Sequence, residues 1–118
     1  MAKQRQTHTL NGLGHFDIAG PDLDKLTSFY ASVFDWRIKS PGPGYAMVET
    51  PDGSPNGALV ESEDAALTVG VVVADLAKAL KNAAGAGGEV VMPITDNGWV
   101  KKAQVHDPAG NLVTLIQG

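Results

Sequence analysis

Cysteine is absent from the 118-residue chain. The protein therefore has no disulfide bond, no thiolate metal ligand and no cysteine nucleophile. Long apolar runs are missing too, since no stretch approaches the roughly 20 residues that span a bilayer, and no signal peptide opens the chain. We therefore expect a cytoplasmic protein with no membrane partner.

Positive charge is also scarce. Lys and Arg number 9 against 13 Asp and Glu, for a net charge of −4, and Lys101-Lys102 is the longest basic run. Because nucleic-acid binding requires clustered positive charge, we expect no nucleic-acid partner. The chain is 43% hydrophobic and 19% charged, which is typical of globular proteins, and its length suits one domain.

Short elements bounded by glycine and proline fill most of the chain. Residues 1–9 are polar and lack periodicity, which predicts a flexible lead-in. Residues 15–19 alternate like a strand, and Asp22 and Asp75 are suitable N-caps for two amphipathic helices. The remaining apolar stretches are short and rich in strand formers. The sequence predicts an α+β fold.

An internal repeat connects the two halves. Asp22-Leu23-Asp24-Lys25 recurs as Asp75-Leu76-Ala77-Lys78, and Gly57-Ala58-Leu59-Val60 recurs as Gly110-Asn111-Leu112-Val113. Both matches have the same offset of 53 residues, which favours duplication over coincidence. We therefore predict two tandem βαβββ units, at about residues 10–62 and 66–118, within a single domain over residues 10–118.

Four segments in this order resemble the vicinal oxygen chelate superfamily, which includes glyoxalase I, bleomycin resistance proteins and extradiol dioxygenases. They are Gly14-His15-Phe16-Asp17-Ile18, Asp22-Leu23-Asp24-Lys25, Val33-Phe34-Asp35-Trp36 and Asp107-Pro108-Ala109-Gly110-Asn111-Leu112. The resemblance implies curled mixed sheets that form a cup-shaped pocket. It also implies a homodimer and a small-molecule ligand.

Metal-dependent members of that superfamily place ligands on the first and last strands of each unit. The resemblance transfers those positions to His15 and Glu61 in the first unit, and to Thr68 and Thr114 in the second. Threonine hydroxyls are weak ligands for Zn, Ni, Fe or Mn, so we expect no tightly held cofactor. The alternative is a divalent metal on His15 and Glu61, with Asp17 as a substitute ligand.

Other side chains are candidates to line the pocket. His15 and Asp17 share a face by strand alternation, and without a metal they can form a catalytic proton-transfer pair. Tyr45, Met47 and Trp99 are candidate ligand-binding residues, as are Thr68 and Thr114. A hydrogen-bonded structural role for His15, and simple sheet packing for Tyr45, remain alternatives.

Three functions are compatible with these residues, because a fold does not fix a function. The first is binding or sequestration of a small molecule in an apolar cup, and the loss of ligand types in the second unit favours it. The second is a glyoxalase-like lyase or isomerase, or a dioxygenase-like enzyme, that uses His15 and Glu61. The third is a non-catalytic interaction module with a vestigial pocket.

Overall fold

A computed structural model of the protein describes residues 10–53 and 55–118, so the predicted lead-in at residues 1–9 lies outside the described residues. The fold is a mixed α+β one. No helix in these two ranges is both long and apolar enough to cross a bilayer. In chain order the elements are β1 (Leu13–Gly20), α1 (Leu23–Phe34), β2 (Arg37–Gly42), β3 (Tyr45–Glu49), β4 (Asn56–Glu61), β5 (Ala66–Val73), α2 (Leu76–Gly85), β6 (Glu89–Asp96), β7 (Lys101–His106) and β8 (Leu112–Gln117).

The described chain divides into two compact units. The first unit comprises residues 15–68, and the second comprises residues 10–14 together with 69–118. In the first unit the strands lie in the order β2-β3-β4-β1, with β1 parallel to β4 and the other pairs antiparallel. In the second unit the order is β5-β8-β7-β6, with β5 parallel to β8.

Helix α1 covers one face of the first unit's sheet. Its side of the sheet carries four buried side chains, Ile18, Ala46, Val48 and Leu59. Leu23, Leu26 and Tyr30 of the helix pack against them. The sequence spacing predicts one apolar helix face that also contains Phe29, Val33 and Phe34, but these three side chains are half exposed. The helix thus uses a narrower stripe than the sequence pattern indicates.

Both predicted helix caps are confirmed. The Asp22 carboxylate accepts a hydrogen bond of 3.0 Å from the Lys25 amide, and the Asp75 carboxylate accepts one of the same length from the Lys78 amide. Each bond satisfies one of the amides that a helix N-terminus leaves without a partner. Helix α2 then packs Leu76, which is 2% exposed, against the core of the second unit.

Strand pairing does not follow a single offset of 53 residues. Ile18 pairs with Leu59 in the first unit, and Val71, which lies 53 residues after Ile18, pairs with Leu115 in the second. The last strands therefore correspond at an offset of 56 residues. Gln117, rather than Thr114, then corresponds to Glu61. The sequence match between Gly57 and Gly110 does not reflect equivalent positions, since Gly110 lies in the turn before β8.

Strand β2 is longer than the sequence predicts. The sequence predicts a strand at about residues 36–39 and a turn at Pro41-Gly42-Pro43-Gly44, whereas β2 runs from Arg37 to Gly42. Proline lacks the amide hydrogen that an interior strand donates, but an edge strand tolerates it. Because β2 has a neighbour on one side only within its unit, Pro41 is accommodated there.

Candidate functional site

The sheet of the first unit has a second face, directed away from α1, which we call the open face. On β1, Phe16 and Ile18 pack toward the helix, so alternation directs His15 and Asp17 to the open face. On β3, Ala46 and Val48 are buried, whereas Tyr45, Met47 and Glu49 are exposed. The open face is therefore where the predicted site residues of β1 and β3 lie, namely His15, Asp17, Tyr45 and Met47.

Strand register brings these residues side by side. His15 pairs with Asn56, and Asp17 pairs with Ala58. Met47 pairs with Ala58 on one side and with Lys39 on the other. Two residues before Lys39 on β2, Arg37 pairs with Glu49. The open face thus has a histidine on β1 and two basic side chains on β2, with Met47 and Glu49 on the strand between β2 and β4.

His15 and Asp17 form a hydrogen-bonded pair. The Nε2 atom of His15 lies 3.0 Å from Oδ1 of Asp17, and the two side chains are 38% and 35% exposed. An ionised carboxylate can only accept, so Nε2 is the donor and Nδ1 of a neutral imidazole is left as an acceptor. Nδ1 is therefore the ring atom of His15 that can accept a hydrogen bond from a ligand.

A cavity of about 270 Å³ lies beside His15. Six of its eight lining residues are on the open face, namely His15, Arg37, Lys39, Met47, Glu49 and Asn56. The other two, Val48 and Gly57, are their neighbours in the chain. All of them belong to the first unit. Four strands hold these side chains, so the cavity is built on rigid elements of the sheet.

A larger cavity of about 490 Å³ adjoins the same Arg37 and Glu49. Its remaining lining comes from Asp35 and from the loop at residues 50–53. It contains no histidine, and only two of its lining residues lie in strands. We therefore regard the smaller cavity, which the strands and His15 define, as the candidate site.

Glu61 does not join His15. It pairs with Gly20, five residues along β1 from His15, which is about 16 Å at the rise of a strand. Glu61 also lies two residues after Leu59, which packs against the helix, so its side chain is on the helix side of the sheet. Glu61 borders a separate cavity with Pro21, Ser62 and Glu63.

The side chains around His15 do not fit a divalent metal. The strand partner of His15 is Asn56, whose side chain is an amide. Among residues 10–53 and 55–118, Asp17 is the carboxylate that forms an ion pair with His15. Within residues 10–53 and 55–118, no group of three His, Asp or Glu side chains is arranged to hold a metal ion. Zinc sites normally need three protein ligands, so the predicted set of His15, Asp17 and Glu61 is not brought together.

The remaining predicted site residues are distributed over both units. Tyr45 is 43% exposed and Met47 is 55% exposed on the open face, and Thr68 on β5 is half buried. Thr114 is 8% exposed and accepts a hydrogen bond of 3.1 Å from Nε2 of Gln104. Trp99 is 86% exposed and borders a cavity of about 260 Å³ in the second unit.

Sequence reasoning did not identify Arg37, Lys39, Glu49 and Asn56 as site residues. A period-two pattern was available, because Arg37 and Lys39 flank Ile38, which packs toward α1. The strand order places β2 and β4 on either side of β3, and this non-local information is what brings their side chains to one cavity.

The family is shown by a sequence profile of the glyoxalase/bleomycin resistance protein/dioxygenase superfamily, which matches residues 12–115. The chain belongs to this superfamily. The match extends over almost all the described residues of this glyoxalase superfamily member and confirms the resemblance drawn from its sequence. A search among proteins of curated function gives no significant match.

Solved structures share the fold of this superfamily member at low sequence identity. Methylmalonyl-CoA epimerase from Mycobacterium tuberculosis is 17% identical with a TM-score of 0.71, over 97% of this chain and 92% of that one. A superfamily member from Vibrio splendidus 12B01 is 15% identical with a TM-score of 0.72, over 91% and 100%. The Mn(II)-bound glyoxalase from Novosphingobium aromaticivorans is 15% identical with a TM-score of 0.71, over 92% of this chain and 39% of that one.

Proposed function

We propose that this superfamily member binds a small organic molecule in the 270 Å³ cavity on the open face of its first unit. The observation that carries the proposal is the convergence of His15, Met47 and Asn56 from three strands on one concave site. Ligand sites combine apolar walls with a few fixed polar groups. Here Met47 provides apolar surface, while His15 and Asn56 provide hydrogen-bonding groups.

The architecture that we propose for this function is a tandem pair of βαβββ units, at about residues 10–62 and 66–118. The support is that both units have the same element order, with a first strand parallel to the last and a capped helix after the first strand. The proposal includes curling of the sheets into a cup and pairing of two chains into a homodimer, as the family resemblance implies.

The proposed binding requires no tightly held metal. The support is the donor set, in which His15 has Asp17 beside it but lies far from Glu61. Metal analysis of untagged protein is expected to find far less than one equivalent of Zn, Ni, Fe or Mn. Near-stoichiometric metal that is lost in His15→Ala would instead establish the metal-dependent alternative.

A ligand screen by thermal unfolding tests the binding proposal. A ligand at 100 times its dissociation constant stabilises the folded state by about 2.7 kcal/mol, which gives a measurable rise in Tm. We expect His15→Ala to reduce the rise for a ligand of the cavity. His106→Ala is the matched control, because it removes a histidine with a carboxylate neighbour from the second unit. If no compound of a broad metabolite and drug panel raises Tm, the result would favour a non-catalytic interaction module.

Proton transfer is a second candidate function, and the His15–Asp17 hydrogen bond favours it. A general base must reach the proton it abstracts and be correctly oriented, and Asp17 orients the imidazole. If a ligand from the screen has an acidic C–H bond, we expect exchange of that hydrogen with deuterium from solvent. His15→Gln is expected to abolish the exchange while ligand binding persists. Exchange that is unchanged in His15→Gln would contradict this role.

A further inference from the structure

The charged side chains that line the candidate cavity are mostly basic, whereas the whole chain has a net negative charge. Arg37 and Lys39 line the cavity with one carboxylate, Glu49, so the formal charges of the lining side chains sum to +1, and the carboxylate of Asp17 lies beside the cavity against His15. The chain as a whole carries −4. A concave site with an excess of one sign of charge raises the local concentration of ligands of the opposite sign, so the excess of basic side chains in the lining favours an anion.

The two basic groups remain available to a ligand. Nη1 of Arg37 lies 3.8 Å from Oε1 of Glu49, and these side chains are 81% and 57% exposed. This pair is long, and a guanidinium has five N–H donors, so most of the donors of Arg37 are not used by it. Lys39 forms no ion pair with any carboxylate of residues 10–53 and 55–118.

An apolar surface lies next to these cations. Met47 is the strand partner of Lys39, is 55% exposed and lines the same cavity. A methionine side chain is unbranched and polarisable, so it adapts to flat or irregular apolar groups. The site thus presents apolar and cationic surface side by side.

We propose that the ligand is a small organic anion whose carboxylate is bound by Lys39 and Arg37 while its apolar body packs on Met47. This inference rests on the proposed function and specifies its ligand class. The net charge of −4 on the whole chain does not decide the ligand class, because salt screens surface charges that are distant from the cavity.

Three probes with one apolar body test the ligand class: phenylacetate, phenylacetamide and phenethylammonium, which carry charges of −1, 0 and +1. Binding is followed at low salt through the ¹³C-methyl signals of methionine, because Met47 lies in the cavity whereas Met92 lies in the second unit. We expect phenylacetate to shift the Met47 signal and to bind about fivefold more tightly than the amide, the upper range for an exposed ion pair. Phenethylammonium should bind most weakly.

Charge variants assign the selectivity to the cavity. Lys39→Gln is expected to bring the ratio of phenylacetate to phenylacetamide affinity close to one, and Lys39→Glu to favour phenethylammonium. Lys25→Gln is the matched control, since it removes the same charge from helix α1 in the same unit and should leave the ratio unchanged. Readouts of Met47 and Met92 in each variant confirm that the fold is intact.

The outcomes separate this inference from the proposed function. Equal affinities of the acid and the amide at Met47, or the tightest binding by the amine, would overturn the anion preference while leaving ligand binding established. No shift of Met47 with any probe at millimolar concentration would also overturn the anion inference. The proposed function itself fails only when the broad panel is silent as well.

Discussion

Nε2 of His15 and Oδ1 of Asp17 lie 3.0 Å apart on a single strand, two residues from each other. Both side chains lie on the open face of the sheet. A second histidine–carboxylate contact in the protein uses the other ring nitrogen, since Nδ1 of His106 lies 3.4 Å from Oε1 of Glu89 on the neighbouring strand. The two histidines therefore differ in which nitrogen faces a carboxylate.

This difference predicts opposite imidazole tautomers at a pH where both rings are neutral. Because a carboxylate only accepts hydrogen bonds, His15 should carry its proton on Nε2 and His106 on Nδ1. Long-range ¹H–¹⁵N NMR spectra of the imidazoles distinguish the two forms. Asp17→Ala should change the tautomer populations of His15 and leave those of His106 unchanged. A His15 ring with its proton on Nδ1 in the wild type would contradict the pair.

The core of the first unit gives a prediction of stability. Leu59 is 0% exposed and packs with Ile18 and Val48, so Leu59→Ala should lower the free energy of unfolding by about 2–5 kcal/mol, through lost burial and the remaining cavity. Urea unfolding measures this change. Leu67→Ala makes the same truncation at a side chain that is 75% exposed and should cost less than about 0.5 kcal/mol. Similar losses in the two variants would contradict the assigned burial.

Local features of the fold were predictable from the sequence. A helix N-cap requires one short polar side chain and the three residues after it, and Asp22 and Asp75 supply this at both helices. The family profile over residues 12–115 likewise confirms a resemblance that rested on short segments in a fixed order. Features of this kind depend on a few consecutive residues, so they can be predicted without knowledge of the tertiary structure.

The placement of Glu61 was not predictable in the same way. Its face and its partner depend on the register between β1 and β4, and 35 residues of chain separate the end of β1 at Gly20 from the start of β4 at Asn56. A shift of one residue in a strand transfers a side chain to the opposite face. The offset of 53 residues, taken from the helix caps and from the match of Gly57 with Gly110, predicts Thr114 as the equivalent of Glu61. The pairing makes Gln117 the equivalent instead, because the distance to the last strand differs between the units.

A close contact at Gly57 gives a third prediction. A Cβ atom built there would lie 2.5 Å from the Phe16 carbonyl oxygen and 2.6 Å from its ring. The backbone of the paired strand β1 can move away from this methyl group only if the pairing is distorted. Gly57→Ala should therefore destabilise the protein by about 1–3 kcal/mol. Urea unfolding again measures the change, and a neutral effect would show that strands β1 and β4 separate easily.

The control for that substitution is Gly85→Ala at the end of helix α2. Nothing lies within 4 Å of a Cβ atom built at Gly85, and its backbone needs no positive φ. Alanine reduces the conformational freedom of the unfolded chain and favours helix, so this variant should be neutral or more stable by up to about 1 kcal/mol. A destabilised Gly85→Ala would indicate that Gly57→Ala reports general sensitivity to added methyl groups.

The turn before β8 gives a prediction for pH dependence. The Asn111 side chain, together with the backbone amides of Asn111, Ala109 and Gly110, donates hydrogen bonds that hold the pKa of Asp107 below its usual value of 3.8. Nδ2 of Asn111 lies 2.9 Å from Oδ2 of Asp107, and the amide nitrogen of Asn111 lies 2.8 Å from Oδ1. Since these bonds favour the ionised form in the folded state, Asp107 stabilises the fold above its unfolded pKa, and this stabilisation is lost as pH falls through the folded pKa.

Asp107→Asn tests this linkage. The variant should be less stable than the wild type at pH 7, and the difference should shrink as pH falls below 3.8, because the wild type then loses its carboxylate. Urea unfolding from neutral to acidic pH measures both curves. Asp64→Asn removes the same charge at an exposed position and should run parallel to the wild type over this range. Parallel curves for Asp107→Asn would show that the turn does not prefer an ionised carboxylate.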